Sequence, residues 1–325
     1  MCLPSLERVH SLWRLPSVYN ESVTFRFWPV GLAVLMFVGG CTQRVIYRST
    51  PSNQLNQAPS PAFPADDLNR PIELKQPAQR VVVIGPGAVE TMFALDAQKQ
   101  LVGRDDFANF PPGAKQVAIG GNFQGPNVEQ CLALRPDLVV VQGETSNKGK
   151  FEDWQSKLGV PVAALTTTNF ADLAKDFRKL GAWIGKTKEA DALAKGFEIP
   201  LPDLKKAPRA LIQTGDSPGW IAGSGTLVSD TARHAGYANI ADELGIKGYK
   251  EINFESLLVH PPDLVIVPGD KSKAQALAAL RANPALSQLD CVKRGRVLVV
   301  KSDYLLRPEP RLLEGVKQLR AASLK

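Results

Sequence analysis

The chain has 325 residues, a formal net charge of +7, 44% hydrophobic residues and 22% charged ones. That length holds one large domain or two modest ones around a real core, and the balance excludes wholesale disorder. The Lys and Arg residues are scattered, with no stripe and no block longer than three, which argues against a nucleic-acid partner and suits an anionic small ligand or acidic lipid headgroups.

Trp28 to Gly40 is apolar and uncharged. It is too short for a membrane span of about 20 residues and fits the apolar core of a secretory signal. The run ends Val38-Gly39-Gly40-Cys41. Small residues before a cysteine resemble a bacterial lipoprotein processing site. That resemblance implies a signal peptide over residues 1–40, cleavage before Cys41 and a lipid on its sulfur. An uncleaved anchor helix is the alternative. The stretch ahead of the run carries Glu7 and Glu21, and a start near Val23 leaves a compact signal headed by Arg26. From Cys41 to residue 79 the chain is rich in Pro, Gln, Asn and Ser. Such a segment buries too little apolar surface to offset its ordering entropy, so it reads as a flexible tether. Of the other cysteines, Cys2 lies in the leader, whereas Cys131 and Cys291 sit among apolar residues and read as buried small hydrophobes. No CxxC pair is present, so neither a zinc ribbon nor a thioredoxin-type site has support.

The folded body begins near Arg80. Val81 to Ile84 is β-branched and is followed by Gly85-Pro86-Gly87 and a helical pattern through Leu95: strand, tight turn, helix. The third glycine of a dinucleotide fingerprint is replaced by Glu90, so the two glycines read as turn-shaping residues. Asn127-Val-Glu-Gln-Cys-Leu-Ala-Leu-Arg-Pro-Asp-Leu-Val-Val-Val141 recurs 126 positions later as Asn253-Phe-Glu-Ser-Leu-Leu-Val-His-Pro-Pro-Asp-Leu-Val-Ile-Val267. Each copy predicts an Asn-capped helix, a Pro-Asp turn and a strand buried on both faces, hence parallel sheets. Ala210 to Gln213 opens the second half as Val81 to Ile84 opens the first. The expected class is α/β: two similar lobes with parallel-sheet cores, residues 80–166 and 205–325. They are joined over 167–204 by one long backbone helix spanning Asn169 to Ile184, with a second helical piece from Lys188 to Phe197. A ligand cleft is expected between the lobes.

The body resembles the periplasmic binding proteins for cobalamin and iron chelates, the helical-backbone class of ABC-importer components. The carrying segments are Arg80 to Ile84 with Glu90, the two repeated motifs, and Gly223-Ser-Gly-Thr226 with Ala235-Gly-Tyr-Ala-Asn-Ile240. The resemblance implies a non-enzymatic, monomeric carrier: an extracytoplasmic, membrane-anchored lipoprotein that passes a metal chelate to a transmembrane permease, with no cofactor of its own. In the family, one exposed glutamate on each lobe docks on permease arginines, and the matching positions are Glu129 and Glu255. Stabilisation of a helix dipole is the plain alternative for both acids. The same resemblance places Phe107, Phe123, Tyr249 and Tyr304 along the cleft and Trp220 near its rim; Asp303, Arg307 and Arg104 are candidate polar contacts at its edge, where an arginine suits an anionic ligand. Core packing is the alternative for each ring.

The chain departs from the family pattern at Gln142, where an aromatic is expected, and at Pro200 and Pro202, which interrupt the end of the connector. Haem is a further reading, as is another metal complex. His10, His234 and His260 do not favour haem, and the tyrosine-plus-arginine segment of haem-binding relatives is replaced by Gly121 to Gly125. An enzyme on a chelatase-like α/β scaffold is the remaining alternative. It lacks a GxSxG elbow, a P-loop and an HExxH motif, and Asp105-Asp106 reads as a solvated pair.

Overall fold

Val81–Ile84 (β1) lies at the centre of the first sheet, and the Gly85 turn leads from it into Pro86–Ala94 (α1). The computed structural model describes residues 63–143, 147–214 and 219–323; the expected signal over residues 1–40 and Cys41 fall outside them. Leu101–Asp105 (β2), Ile119–Asn122 (β3), Gly125–Pro126 (β4), Leu138–Gln142 (β5) and Val162–Leu165 (β6) complete six strands in the order β4-β3-β2-β1-β5-β6. All pair in parallel except the β3–β4 hairpin. Val128–Leu134 (α2) precedes β5, and Lys148–Leu158 (α3) follows it. Side chains of a strand alternate between its faces. Val81, Val83, Leu138 and Val140 enter one core with Met92 and Trp183, while Val82, Ile84, Val139 and Val141 enter another with Phe151 and Trp154. Both faces are covered, which is why the strands read as unbroken apolar runs.

Phe170–Ile184 (α4) begins at Asn169, whose Oδ1 accepts from the Asp172 N–H at 2.8 Å, and ends at Gly185 in the left-handed region, φ 77°. Thr187–Lys195 (α5) then folds back on it. A Cβ at Gly181 would sit 2.2 Å from the Ala190 Cβ, so a glycine is needed where the two helices touch. The connector is therefore the expected backbone helix with the second helix packed back along it. Its first helix is shared. Phe170, Leu173 and Phe177 pack in the core of the second lobe, and Leu180, Trp183 and Ile184 in that of the first.

The second lobe repeats the plan. Its segments in chain order are Arg209–Ile212 (β7), Trp220–Ala222 (β8), Leu227–His234 (α6), Ala238–Asn239 (β9), Ile240–Glu243 (α7) and Tyr249–Glu251 (β10). Phe254–Val259 (α8), Leu264–Pro268 (β11), Lys273–Ala282 (α9), Asp290–Lys293 (α10), Val297–Val300 (β12), Asp303–Leu306 (α11) and Leu312–Ser323 (α12) follow. The parallel sheet runs β12-β11-β7-β9, and β8 and β10 form a separate antiparallel pair. The repeated motif does the same work in each lobe. Asn127 and Asn253 cap α2 and α8, accepting from Gln130 and Glu255 N–H groups at 3.0 Å. The Pro-Asp acids fasten the first strand of each sheet: Asp137 accepts from the Gln79 and Arg80 N–H groups, and Asp263 from that of Arg209. Cys131 and Cys291 are buried free thiols.

Residues 63–79 correct the expectation of a tether reaching to 79. Asp66 and Arg70 form a buried ion pair, Ile72 and Ala78 are buried, and the Trp183 Nε1–H donates to Pro64 O at 2.9 Å. The reason lies at β6, an edge strand whose open backbone groups need partners. Asp66 Oδ2 accepts from the Ala164 N–H, and the Asp67 N–H donates to Ala164 O, both at 3.1 Å. Among the described residues no helix is long and apolar enough to cross a membrane.

Trp183 is wholly buried and lies in the half of α4 that serves the first lobe. Trp183→Ala is expected to cost about 3–5 kcal/mol in urea unfolding followed by circular dichroism. It is also expected to open residues 63–79 to limited proteolysis, because the Pro64 hydrogen bond goes with the ring.

Candidate functional site

In a parallel α/β sheet, ligands bind beyond the carboxyl ends of the strands, where the chain reverses its direction of sheet building. In the first lobe that point is between β1 and β5. A cavity of about 500 Å³ opens there, floored by Gly85, Gln142 and Gly143. In the second lobe the equivalent point is between β7 and β11, and a cavity of about 610 Å³ opens beside Gln213, Pro268 and Gly269. Leu306 borders the second cavity and the adjacent Arg307 the first, so one short segment separates the two hollows.

Phe107 and Phe123 both line the first cavity and are 57% and 79% exposed. Together they offer aromatic faces to one cavity. Each is held by a local turn. Asp105 is buried, and its Oδ1 accepts from the Phe107 N–H at 2.8 Å. Burial holds the Asp105 carboxyl above its ordinary range, and the charge of Asp106 adds to that. Asn122 Oδ1 accepts from the Gln124 N–H at 2.9 Å and shapes the hairpin tip that carries Phe123. Gly125, at φ 133°, lets the hairpin lie on Trp154, since a Cβ there would meet the indole at 2.2 Å. Lys150 Nζ sits 4.7 Å from the centre of the Trp154 ring and donates to Gln124 O at 2.8 Å.

Arg307 reaches the first cavity from the second lobe, 3.1 Å from Asp303 and 3.3 Å from Asn109 Oδ1. The other expected residues are distributed differently. Trp220 is half-exposed at the start of β8 and Tyr249 pairs with Ala222 across the β8–β10 ribbon; neither borders the two cavities. Tyr304 packs on the second-lobe core between Lys301 and Arg311. Arg104 does not reach the edge of the cleft. It is buried and spends its guanidinium on the carbonyls of Val117, Asp105 and Asp106. Trp154, Lys150 and Asp105 were missed as lining residues. The sequence offered no more signal for Trp154 than one large ring in a polar helix.

The lobes also touch directly. Gln142 accepts from the Ala88 N–H at 2.7 Å and donates to Pro308 O at 3.0 Å. A Cβ on Gly87 would lie 2.3 Å from the Pro308 carbonyl oxygen, so the turn glycine serves the approach of the other lobe. Arg311 Nε lies 2.7 Å from Glu90, and the guanidinium stands 3.7 Å over the Phe110 ring. Glu309 is wholly buried, 2.9 Å from Arg311. Burial first, and then the charge of Glu90, push the Glu309 carboxyl up to about 8. Burial also raises Glu90, against the pull of Arg311. Among the described residues no group of three or more His, Cys, Asp or Glu side chains is arranged to hold a metal ion.

A family model described as periplasmic binding protein matches residues 81–304. The chain is 26% identical over 250 residues to the vitamin B12-binding protein of Yersinia pestis (strain Pestoides F), covering 75% of this chain and 86% of the relative. A periplasmic heme binding protein from Pseudomonas aeruginosa superposes with a TM-score of 0.64 at 28% identity, over 75% of this chain and 92% of that one. The periplasmic vitamin B12 binding protein of Vibrio cholerae shares the fold with a TM-score of 0.62 at 24% identity, over 76% and 96%.

Glu309 and Asp176 hold a proton more tightly folded than unfolded: burial pushes each to about 8, from ordinary values of 4.5 and 3.8. Their contribution to stability is full below the ordinary values and is lost as the pH climbs through about 8. Thermal unfolding is therefore expected to show a Tm that falls between pH 5 and pH 8.5. In Glu309→Gln the fall is expected to shrink by roughly half, because Asp176 keeps its share.

Proposed function

Because the chain belongs to the periplasmic binding protein family, we propose that it captures a metal chelate such as cobalamin or a ferric siderophore outside the cytoplasm and delivers it to the permease of an ABC importer. The observation that carries this reading is the pair of exposed rings, Phe107 and Phe123, on the interlobe cavity. Aromatic faces bury the flat, largely apolar body of a corrin or a chelate. The described residues lining the two cavities include no His, Cys, Met or Tyr. A ligand whose metal is already fully coordinated suits that lining better than haem, whose iron takes an axial side chain. Arg307 and Lys150 at the first cavity suit an anionic or strongly polar ligand edge. The protein does no chemistry in this scheme and works as a monomer.

The reading extends to the rest of the chain. Residues 1–40 act as the signal, and a lipid on Cys41 holds the protein at the membrane. Glu129 and Glu255, both exposed in the first turns of α2 and α8, dock on the permease. Charge-assisted pairs with arginine orient such a contact.

Titration of the soluble body, residues 42 to 325, with cobalamin and a panel of ferric siderophores tests the ligand. Trp154 lies against the cavity, so saturable submicromolar quenching by one class is expected, after correction for ligand absorbance. Quenching by haem alone would replace the chelate reading. Glu129→Ala combined with Glu255→Ala is expected to abolish uptake in cells and to leave that titration unchanged. Normal uptake by the double variant would remove the docking role.

A further inference from the structure

We infer that the two glutamate-bearing helices dock through apolar anchors as well as charge: Leu132 on α2, and Leu258 with Val259 on α8, seat in the permease beside the groups that meet Glu129 and Glu255. This rests on the docking role proposed above. Leu132 is 50% exposed, Leu258 63% and Val259 74%. Residues three and four apart share one face of a helix, so Leu132 stands next to Glu129, and Leu258 and Val259 stand next to Glu255.

The fold does not need these side chains. Buried Cys131 and Leu257 already hold α2 and α8 to their lobes. Ten large hydrophobic side chains are exposed among the described residues. Phe107, Phe123 and Leu306 border the cleft cavities, and Phe110 stacks on Arg311. Of the other six, three lie on these two short helices. A fourth, Ile119, borders a hollow shared with Asn127 and Gln130 at the start of α2. Apolar exposure away from the cleft is thus concentrated around the two glutamates.

Charge points to the same occupant. Glu129 is the single charged residue of α2 and Glu255 that of α8. Neither is in an ion pair among the described residues. An unpaired acid beside an exposed leucine fits a partner surface that offers a guanidinium or ammonium next to an apolar recess. The arrangement Asn-x-Glu-x-x-Leu occurs at 127–132 and again at 253–258, so the partner must present that site twice. Exposed ion pairs contribute little by themselves, whereas a charge gains when packed side chains around it exclude water.

The test uses the full-length protein expressed in its own cells. A benzophenone amino acid placed at Gln130 or Ser256, next to the glutamates, reports docking as a photoadduct with a transmembrane transport subunit, identified by mass spectrometry. Leu132→Ser combined with Leu258→Ser is expected to lower the adduct yield about tenfold or more, with ligand titration and Tm unchanged because both residues are exposed. An unchanged yield in that variant, with loss of the adduct in Glu129→Ala plus Glu255→Ala, would overturn the apolar anchors and leave docking intact. No adduct from the otherwise unaltered protein would remove the docking role and this inference with it.

Discussion

Helix α4 belongs to two hydrophobic cores at once, and the relation between the lobes depends on it. Phe170, Leu173 and Phe177 are buried in one lobe, and Leu180, Trp183 and Ile184 in the other. Neither lobe can turn far about this helix without exposing large side chains on one side of it. Interiors are packed too densely to deform continuously. The helix also holds residues 63–79 through Trp183 and Lys179, so that segment is tied to the element that joins the lobes.

The second restraint acts across the cleft. Gln142, Glu90 and Gly87 of the first lobe meet Pro308 and Arg311 of the second. A protonated Glu309 relieves what would otherwise be a cluster of Glu90, Asp303 and Glu309 facing Arg311 and Arg307. Burial disfavours the charged form of a carboxyl, and a neutral Glu309 lightens the negative charge facing the two arginines. Together with α4, these contacts tie the two lobes at a second place.

Phe107 and Phe123 are held out by short Asx-type turns rather than by packing. The glycines that look like a nucleotide fingerprint serve another purpose. Gly85 adopts φ 122°, and Gly87 makes room for a carbonyl of the other lobe. The two cavities sit at equivalent switch points of two related sheets, which follows from the duplication of the Asn-to-Pro-Asp motif.

Much of this was legible in the amino-acid order. The two lobes, the repeat, the strands at β1, β5 and β11, the caps at Asn127, Asn169 and Asn253, and the span of α4 all follow from periodicity and capping, which act between residues a few positions apart. The direction of individual side chains was not legible. Arg104 turns back into its own loop, Tyr249 lies in a ribbon, Tyr304 packs on a core, and residues 63–79 cover an edge strand. Gln142 looked like a lost aromatic and proved to be a strut to Pro308, 166 positions away. Local rules decide which element a residue joins. Where its side chain ends depends on contacts between distant parts of the chain, and those exist only once the two lobes have packed on α4.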